Sequence, residues 1–359
     1  MNTRKLSLLF LVPVSLFLTV YARFYMSFAE FYAVKVYPAF ASTVGYVTSK
    51  PAVSVAEITI VILVLLLLIY TVSMIANTVK HRTSDFFKVY SVNILSFGAV
   101  LYFIFVLFCG LNYYRYEFTF YSGLEIRESS KDELVILCQK LINDANSMRT
   151  KLETGENHTS ELFDQNYYGT AERARRSFDN ISKRYDILKG DYPAPKPVKL
   201  SRLMSHANIT GIFFPFTFEA NVNVDIPPYQ IPSTMLHELV HLRGFMREDE
   251  ANFISYLACI NSGFDDFSYS GTMLALTYSM NALYKEDKDE YARLMDTYSE
   301  DVKNDVIYAS DYWKKFDTRI AKISNNINDV YLKANNQTDG VKSYGRMVDL
   351  LLAYYRNEA

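Results

Sequence analysis

Three apolar stretches near the N-terminus constrain the fold of this chain more than any other sequence feature. They cover residues 6–23, 55–76 and 89–112 of the 359-residue sequence. The second and third reach the roughly 20 residues that a helix needs to cross the hydrocarbon core of a bilayer. The first resembles a signal peptide, but bulky residues stand where a small-residue cleavage site would follow, so we expect an uncleaved span. The sequence therefore predicts a membrane anchor of three transmembrane helices over residues 1–112.

The basic residues that flank these spans predict the orientation of the chain. Arg4 and Lys5 precede the first span, and Lys80, Arg82 and Lys88 lie between the second and the third. Short cytoplasmic flanks carry an excess of Lys and Arg, so both flanks should be cytoplasmic. Three crossings would then leave the C-terminal domain outside the cytoplasm, which predicts a multi-pass protein of the cell membrane.

The remaining residues, 113–359, mix polar and apolar side chains and predict a folded domain that is mainly α with a small β-sheet. Helical periodicity covers 132–152, and a second helix is expected over 160–188. From Ser233 onward the sequence predicts helix after helix. The segments with β-like composition are 198–203, 209–216 and 219–226.

Net charge and cysteine content exclude two other kinds of site. The net charge of −2 gives no basic footprint, so nucleic acid is not an expected partner. The three cysteines form no CxxC pair, which excludes a cysteine zinc site. Cys138 and Cys259 could form a disulfide outside the cytoplasm, although two cysteines so distant in sequence are more often buried separately.

The pentapeptide His237-Glu238-Leu239-Val240-His241 has the spacing of a catalytic zinc site. Residues four apart lie on one face of a helix, so the two imidazoles could share one zinc ion. Glu238 follows the first histidine and could act as general base on zinc-bound water, whose pKa the metal lowers. The alternative interpretation is a pair of surface histidines on an ordinary helix.

A catalytic zinc site needs a third protein ligand, and acidic residues follow the motif at a suitable distance. Gly244 would end the motif helix and let the chain turn back into a second helix that starts near Glu248. The first turn of that helix could present Glu248 or Glu250 to the metal. Acidic residues also suit a helix N-terminus that binds no metal, because they interact favourably with the helix dipole.

Two further sets of residues are candidates for binding substrate. The segment 219–226 alternates polar and apolar residues, so Asn221 and Asn223 could lie on an edge strand that pairs with extended peptide. A plain edge strand would show the same alternation. Tyr269 is the first candidate for the hydrogen-bond donor that an oxyanion requires. The other candidate donors are Tyr344, His206, Arg243 and Arg247.

Long segments of the chain resemble an uncharacterised bacterial membrane family, the domain of unknown function 3810. The block ITGIFFPFTFEANVNVDIPPYQIPSTMLHELVHLRGFMREDEANFISYLACINS carries the resemblance, together with FSYSG, GLNYYRYEF and SYGRMVDLLLAYY. The family is taken to be related to zincin peptidases, which implies a zincin-like domain that binds zinc through His237 and His241. The pattern Glu-x-x-Ala-Asn resembles the third-ligand helix of glutamate-zincins, and this resemblance selects Glu248 over Glu250.

The sequence therefore predicts a membrane-anchored zinc metallopeptidase that hydrolyses a peptide or protein substrate. The alternative is a catalytically silent zinc-binding membrane sensor or structural protein. Glu238 favours the enzyme, because a silent scaffold needs no base there. An intramembrane protease is disfavoured, because charged residues such as Arg243 and Arg247 crowd the motif and would be costly within a bilayer.

Overall fold

The computed structural model describes residues 3–155, 159–161, 166–190, 193–334 and 345–358. The chain forms two compact units. The first contains Met1–Tyr116 and Phe214–Glu219, and the second contains Glu117–Phe213 and Ala220–Ala359. The chain therefore enters the first unit twice.

Three helices of the first unit are long and apolar enough to cross a membrane. They are Lys5–Phe24, Val55–His81 and Asp85–Phe108. Each overlaps a predicted span, so the prediction of three apolar N-terminal helices is confirmed. The second helix begins where the Ser54 hydroxyl accepts a hydrogen bond from the Glu57 backbone N–H, and it ends where Arg82 takes a left-handed conformation with φ 49°.

The connection from the first of these helices to the second is largely helical, and a short helical turn follows the third. Residues Met26–Phe31, Tyr32–Val36 and Tyr37–Thr48 join the first span to the second, and Gly110–Tyr114 follows the third. The buried Arg115 forms an ion pair with the half-buried Glu30 at 3.6 Å, and Glu30 also accepts a hydrogen bond from the backbone N–H of Tyr116 at 3.0 Å. These contacts join the segment after the third apolar helix to the segment that follows the first.

The turn at Phe214–Glu219 contacts the ends of two spans within the first unit. The Glu219 carboxylate accepts hydrogen bonds from the first two backbone N–H groups of the second span, at 3.1 and 2.6 Å. A carboxylate is favourable there, because the N-terminus of a helix carries partial positive charge. The ring of Phe218 packs against that of Phe108, with centroids 4.9 Å apart. The turn therefore lies where the second span begins and the third ends.

The second unit consists mainly of helices. Helix Lys131–Arg149 confirms the prediction over 132–152 and starts with a capping box between Ser130 and Glu133. The helix predicted over 160–188 is Tyr167–Arg184, and residues 162–165 lie outside the described residues. The other helices of at least five residues are Phe118–Ser122, Ser201–His206, Ile231–Leu242, Glu248–Ile260, Asp265–Glu286, Lys288–Met295, Glu300–Lys314, Arg319–Ala334 and Arg346–Glu358.

A three-stranded sheet has the order β1-β3-β2, where β1 is Lys196–Val198, β2 is Gly211–Phe214 and β3 is Glu219–Asn223. Strands β1 and β3 are parallel. The connection between β2 and β3 is too short for a parallel crossover, so these two strands form a hairpin.

Two strand predictions are corrected by this sheet. The segment 198–203 is not a strand, because β1 ends at Val198 and a helix begins at Ser201. Strand β3 is the middle strand rather than an edge, because β1 pairs with its other side. Periodicity along β3 cannot reveal this, since the partner strand comes from a distant and very short segment.

Helices Ile231–Leu242, Glu248–Ile260 and Asp265–Glu286 pack together at the centre of the second unit. A Cβ atom added at Gly271 would lie 2.3 Å from the Cβ of Cys259, so glycine allows two of these helices to approach closely. All three cysteines of the chain are buried free thiols. The disulfide between Cys138 and Cys259 that the sequence left possible is therefore not formed.

Candidate metal centre

The motif helix, Ile231–Leu242, owes its position to its apolar face. Leu236, Leu239 and Val240 are fully buried, so the face that carries the two histidines is turned away from this core. The helix ends at Leu242, and two residues later Gly244 takes a left-handed conformation, with φ of 85°, that glycine adopts without strain. The chain then reverses into the ligand helix, Glu248–Ile260.

This reversal brings the side chains of His237, His241 and Glu248 together. One Glu248 carboxylate oxygen lies 3.1 Å from Nε2 of His237, and the other lies 3.5 Å from Nε2 of His241. One ligand atom from each residue lies within 4.8 Å of the others, so this group could hold a metal ion. Two imidazole nitrogens and one carboxylate are a donor set that catalytic zinc sites use, with a fourth position open.

Hydrogen bonds at the other ring nitrogens orient both imidazoles toward this point. Nδ1 of His241 donates to the backbone carbonyl of Phe245 at 2.9 Å, because a carbonyl oxygen can only accept. Nδ1 of His237 lies 3.0 Å from the side-chain oxygen of Asn252. In the neutral imidazoles the Nε2 lone pairs are then available to a metal, as in known histidine metal sites. The residues therefore fit a zinc ion.

Charges within the cluster shift two pKa values in opposite directions. Burial opposes a charge on His241, but the adjacent Glu248 carboxylate outweighs burial and raises the pKa of His241 to about 9. Burial likewise opposes the Glu248 charge, but the two histidines hold the pKa of Glu248 well below its usual range. Without a metal, the protonated imidazole of His241 therefore pairs with the Glu248 carboxylate. A metal cation would take the place of that proton.

Glu238 lies on the motif helix against strand β2. Its side chain is 4 % exposed, and this burial raises its pKa even though the two histidines and a hydrogen bond from the backbone N–H of Phe213 oppose the shift. A Cβ atom added at Gly211 would lie 2.6 Å from Oε1 of Glu238 and 2.8 Å from Cγ2 of Thr234. Glycine at this position thus lets β2 approach the carboxylate.

Glu250, the alternative third ligand, is occupied elsewhere. Its Oε1 accepts a hydrogen bond from the backbone N–H of Phe118 at 2.6 Å and lies 3.5 Å from Nη1 of Arg247. Burial raises the pKa of Glu250 to about 7. Of the two acidic candidates, Glu248 is the one that the structure brings to the histidines.

The structure does not support the predicted substrate role of Asn221 and Asn223. Both lie on the middle strand, 1 % and 0 % exposed. Asn223 donates to the Ser205 hydroxyl at 3.0 Å and to the carbonyl of Ile209 at 2.9 Å, and Asn221 donates to the carbonyl of Ile212 at 3.4 Å. These amides hold the sheet to its neighbours, which leaves them no surface for a peptide.

The predicted oxyanion donor Tyr269 is also committed elsewhere. Its buried hydroxyl donates to the Asp305 carboxylate at 2.6 Å, and Arg149 forms a fully buried ion pair with the same carboxylate at 2.8 Å. The other described candidates also contact neighbouring residues. Arg243 donates to the Leu188 carbonyl, and Arg247 forms ion pairs with Glu117 and Glu250. The ring of His206 packs on Phe316. Tyr344 lies outside the described residues.

Two residues beside the cluster were missed by sequence reasoning. Asn252 follows Glu248 by one helical turn, so helical spacing could have indicated its position near the ligand. Its amide nitrogen lies 3.4 Å from the hydroxyl of Tyr278 on the Asp265–Glu286 helix. Burial and the charge of Glu248 raise the pKa of Tyr278. No local pattern distinguishes Tyr278 from the other 28 of the chain's 29 tyrosines.

Comparison with known proteins identifies the family of the chain. The model of a family described as "Protein of unknown function (DUF3810)" matches residues 32–352. No curated protein and no solved structure matches the chain significantly. The relation to zincin peptidases therefore stays a prediction. The match includes the second and third apolar helices and the candidate metal centre, and the chain belongs to the DUF3810 family.

Proposed function

We propose that this chain is a membrane-anchored zinc metallopeptidase. The observation that carries the proposal is the convergence of His237, His241 and Glu248 within 4.8 Å, next to the buried Glu238. These four residues supply the donor set and the general base that metal-assisted hydrolysis of a peptide bond needs.

His237, His241 and Glu248 would hold the zinc ion, and Asn252 and Phe245 would keep the two imidazoles oriented. When bound, zinc polarises the scissile carbonyl and makes the attacking water more acidic. The protein contributes rigid ligands, because both Nδ1 atoms are already hydrogen-bonded.

Glu238 would move the proton during hydrolysis. A carboxylate oxygen of Glu238 takes one proton from the attacking water as the water oxygen bonds to the carbonyl carbon. The same proton then passes to the leaving nitrogen as the carbon–nitrogen bond breaks, which releases an amine and a carboxylic acid. The raised pKa of Glu238 suits this exchange, because burial brings the carboxyl group closer to neutrality.

Strand β2 would receive the substrate. It is an outer strand of the sheet and lies against Glu238, whereas β3 is enclosed between β1 and β2. An extended peptide could add to the outer edge of β2 by main-chain hydrogen bonds. The substrate class would accordingly be peptides or unfolded segments of proteins.

The location of the site is proposed from the basic flanks of the spans. With Lys80, Arg82 and Lys88 in the cytoplasm, the candidate metal centre lies on the outer side of the cell membrane. A reporter fused after Ala359 tests this orientation, since activity of a cytoplasm-specific reporter would contradict it.

The second candidate function is a zinc-binding membrane protein without catalysis. The observation that favours it is the enclosure of Glu238, which is 4 % exposed and already accepts a hydrogen bond from Phe213. A purely structural carboxylate would make the same contact.

Substitution of Glu238 by glutamine separates these two functions. Glutamine keeps an oxygen for the Phe213 N–H but cannot take a proton, so Glu238→Gln should retain zinc and lose cleavage. Metal analysis of the purified chain should find zinc in wild type and in Glu238→Gln, and little in His237→Ala. Peptides from membranes and culture medium of cells with wild type or Glu238→Gln would reveal the substrate. Zinc without any difference in peptides would favour the silent protein, and absence of zinc from wild type would reject both.

A further inference from the structure

The Arg319–Ala334 helix of the second unit has an apolar stripe on its outer surface. Its inner side is anchored by Ala321 and Leu332, which are 6 % and 0 % exposed. Between 53 and 67 % of each side chain in the stripe is exposed, although all four are branched aliphatic residues. The outer stripe consists of Ile320, Ile323, Ile327 and Val330. Such contiguous apolar exposure marks a surface that something else covers.

The polar side of the same helix is basic. The helix contains three basic residues and one acidic residue, so its formal charge is +2. They are Arg319, Lys322, Lys333 and Asp329. Lys333 pairs with Asp329 at 2.7 Å, and Lys322 pairs with Asp317 at 3.6 Å. These lysines are more than half exposed, so the pairs are weak and can be exchanged for other anions.

An apolar stripe beside a basic polar face is the pattern of a helix that lies in the plane of a membrane surface. The same chain carries three helices that are apolar enough to span a bilayer, which makes a membrane surface a ready partner for this helix.

We infer that the Arg319–Ala334 helix lies on the membrane, with the outer stripe inserted among the lipid headgroups and its basic residues bound to anionic lipid. A second copy of the chain is a less suitable partner, because two helices of charge +2 would repel each other across the interface. The proposed lipid contact involves none of the metal-site residues, so it does not depend on the proposed function.

Fluorescent labels on the intact chain test this inference. Ile327→Cys places a thiol on the outer stripe, and the neighbouring Asn326→Cys places one on the polar side as a matched control. Both positions are exposed and the native cysteines are buried, so labelling should be selective and folding unaffected. Each variant is labelled with a polarity-sensitive fluorophore and reconstituted in nanodiscs of phosphatidylcholine and phosphatidylglycerol.

We expect the Ile327 label to be blue-shifted and quenched by lipids that carry a spin label near the headgroup, because such helices insert about 5–10 Å. The Asn326 label should instead be quenched by aqueous iodide. Nanodiscs of phosphatidylcholine alone should reduce lipid quenching of the Ile327 label, since the anionic partner is removed.

Iodide quenching of both labels would overturn the inference. Protection of the Ile327 label from both quenchers would overturn it too, because protein rather than lipid would then cover the stripe. Unchanged quenching in neutral nanodiscs would refute the role of the basic residues.

Discussion

The Cα of Gly211 on strand β2 lies so close to Glu238 that a single added methyl group would come within 2.6 Å of Oε1. Backbone and side chain therefore fix each other: the glycine admits the carboxylate, and the N–H of Phe213 holds it. This relationship positions the proposed base without involving any of the metal ligands.

Replacement of Gly211 by alanine should displace the Glu238 carboxylate and leave zinc binding intact. Displacement of a reacting group by about 1 Å can cost ~100-fold in rate, so we expect a loss of cleavage of this order. Overpacking should also lower the free energy of unfolding by about 1–3 kcal/mol. Gly345→Ala is the control, because nothing lies within 4 Å of a Cβ atom there. Turnover of the peptides identified by comparison with Glu238→Gln, together with zinc content, measures both effects. Unaltered turnover would show that β2 does not position the base.

The two acidic candidates for the third ligand can be distinguished by conservative substitutions. Glu248→Gln should weaken zinc binding strongly, because an amide is a poor replacement for a carboxylate between two histidines. Glu250→Gln should retain zinc, since Glu250 contacts Phe118 and Arg247 instead. Competition with a chromogenic chelator measures both affinities. Equal zinc affinity in the two variants would contradict the assignment of Glu248.

Asn252 should strengthen zinc binding through its hydrogen bond to His237. Removal of a residue that hydrogen-bonds to a metal ligand typically lowers metal affinity about 10–100-fold. Asn252→Leu should therefore weaken zinc binding by that factor. Asn252→Asp should retain the orientation of the imidazole and thus the zinc. Chelator competition provides the measurement. If Asn252→Leu binds zinc as tightly as wild type, the hydrogen bond at Nδ1 has no such role.

The stability of the metal-free chain should fall at alkaline pH. His241 has a folded-state pKa of about 9, above the ordinary value of 6.5, because the charge of Glu248 favours its protonated form. Its contribution to stability is complete below the unfolded pKa and is lost as pH rises through about 9. Thermal unfolding in detergent with a chelator should show this decline, and His241→Asn should flatten it. A decline of equal size in His241→Asn would assign it to other groups.

The buried carboxylate of Asp305 should be among the most sensitive positions for folding. Asp305→Asn would leave the fully buried Arg149 without its counter-charge, and breaking such a pair costs about 3–5 kcal/mol. Asp311→Asn on the same helix removes an exposed partner of Lys314 and should cost at most about 1 kcal/mol. Chemical denaturation compares the two variants. Similar midpoints would contradict the structural importance of the buried pair.

Sequence reasoning identified the parts of the candidate site that local spacing determines. The four-residue interval from His237 to His241 fixes a shared helix face, and the glycine turn brings Glu248 back to it, so both follow from helix geometry. The apolar spans follow from length and hydropathy alone. None of these needs knowledge of distant partners.

The predictions that differ from the observed contacts depend on interactions between distant segments. Alternation in 219–226 indicated a strand, but its place in the middle of the sheet depends on β1, which is only three residues long. Tyr269 was chosen for its local sequence, whereas its hydroxyl is used by Asp305, 36 residues further along. Pairing of strands and of buried polar groups is decided by tertiary packing, which periodicity does not record.

The three cysteines are buried free thiols, and burial makes them poor targets for oxidation. Burial raises the pKa of Cys138 to about 12 and that of Cys259 well above its ordinary value, so neither forms the thiolate that oxidants and disulfides attack. The folded chain then needs neither an oxidase to cross-link it nor a reductant to protect it. Cysteine chemistry therefore sets no restriction on the side of the membrane where the second unit works.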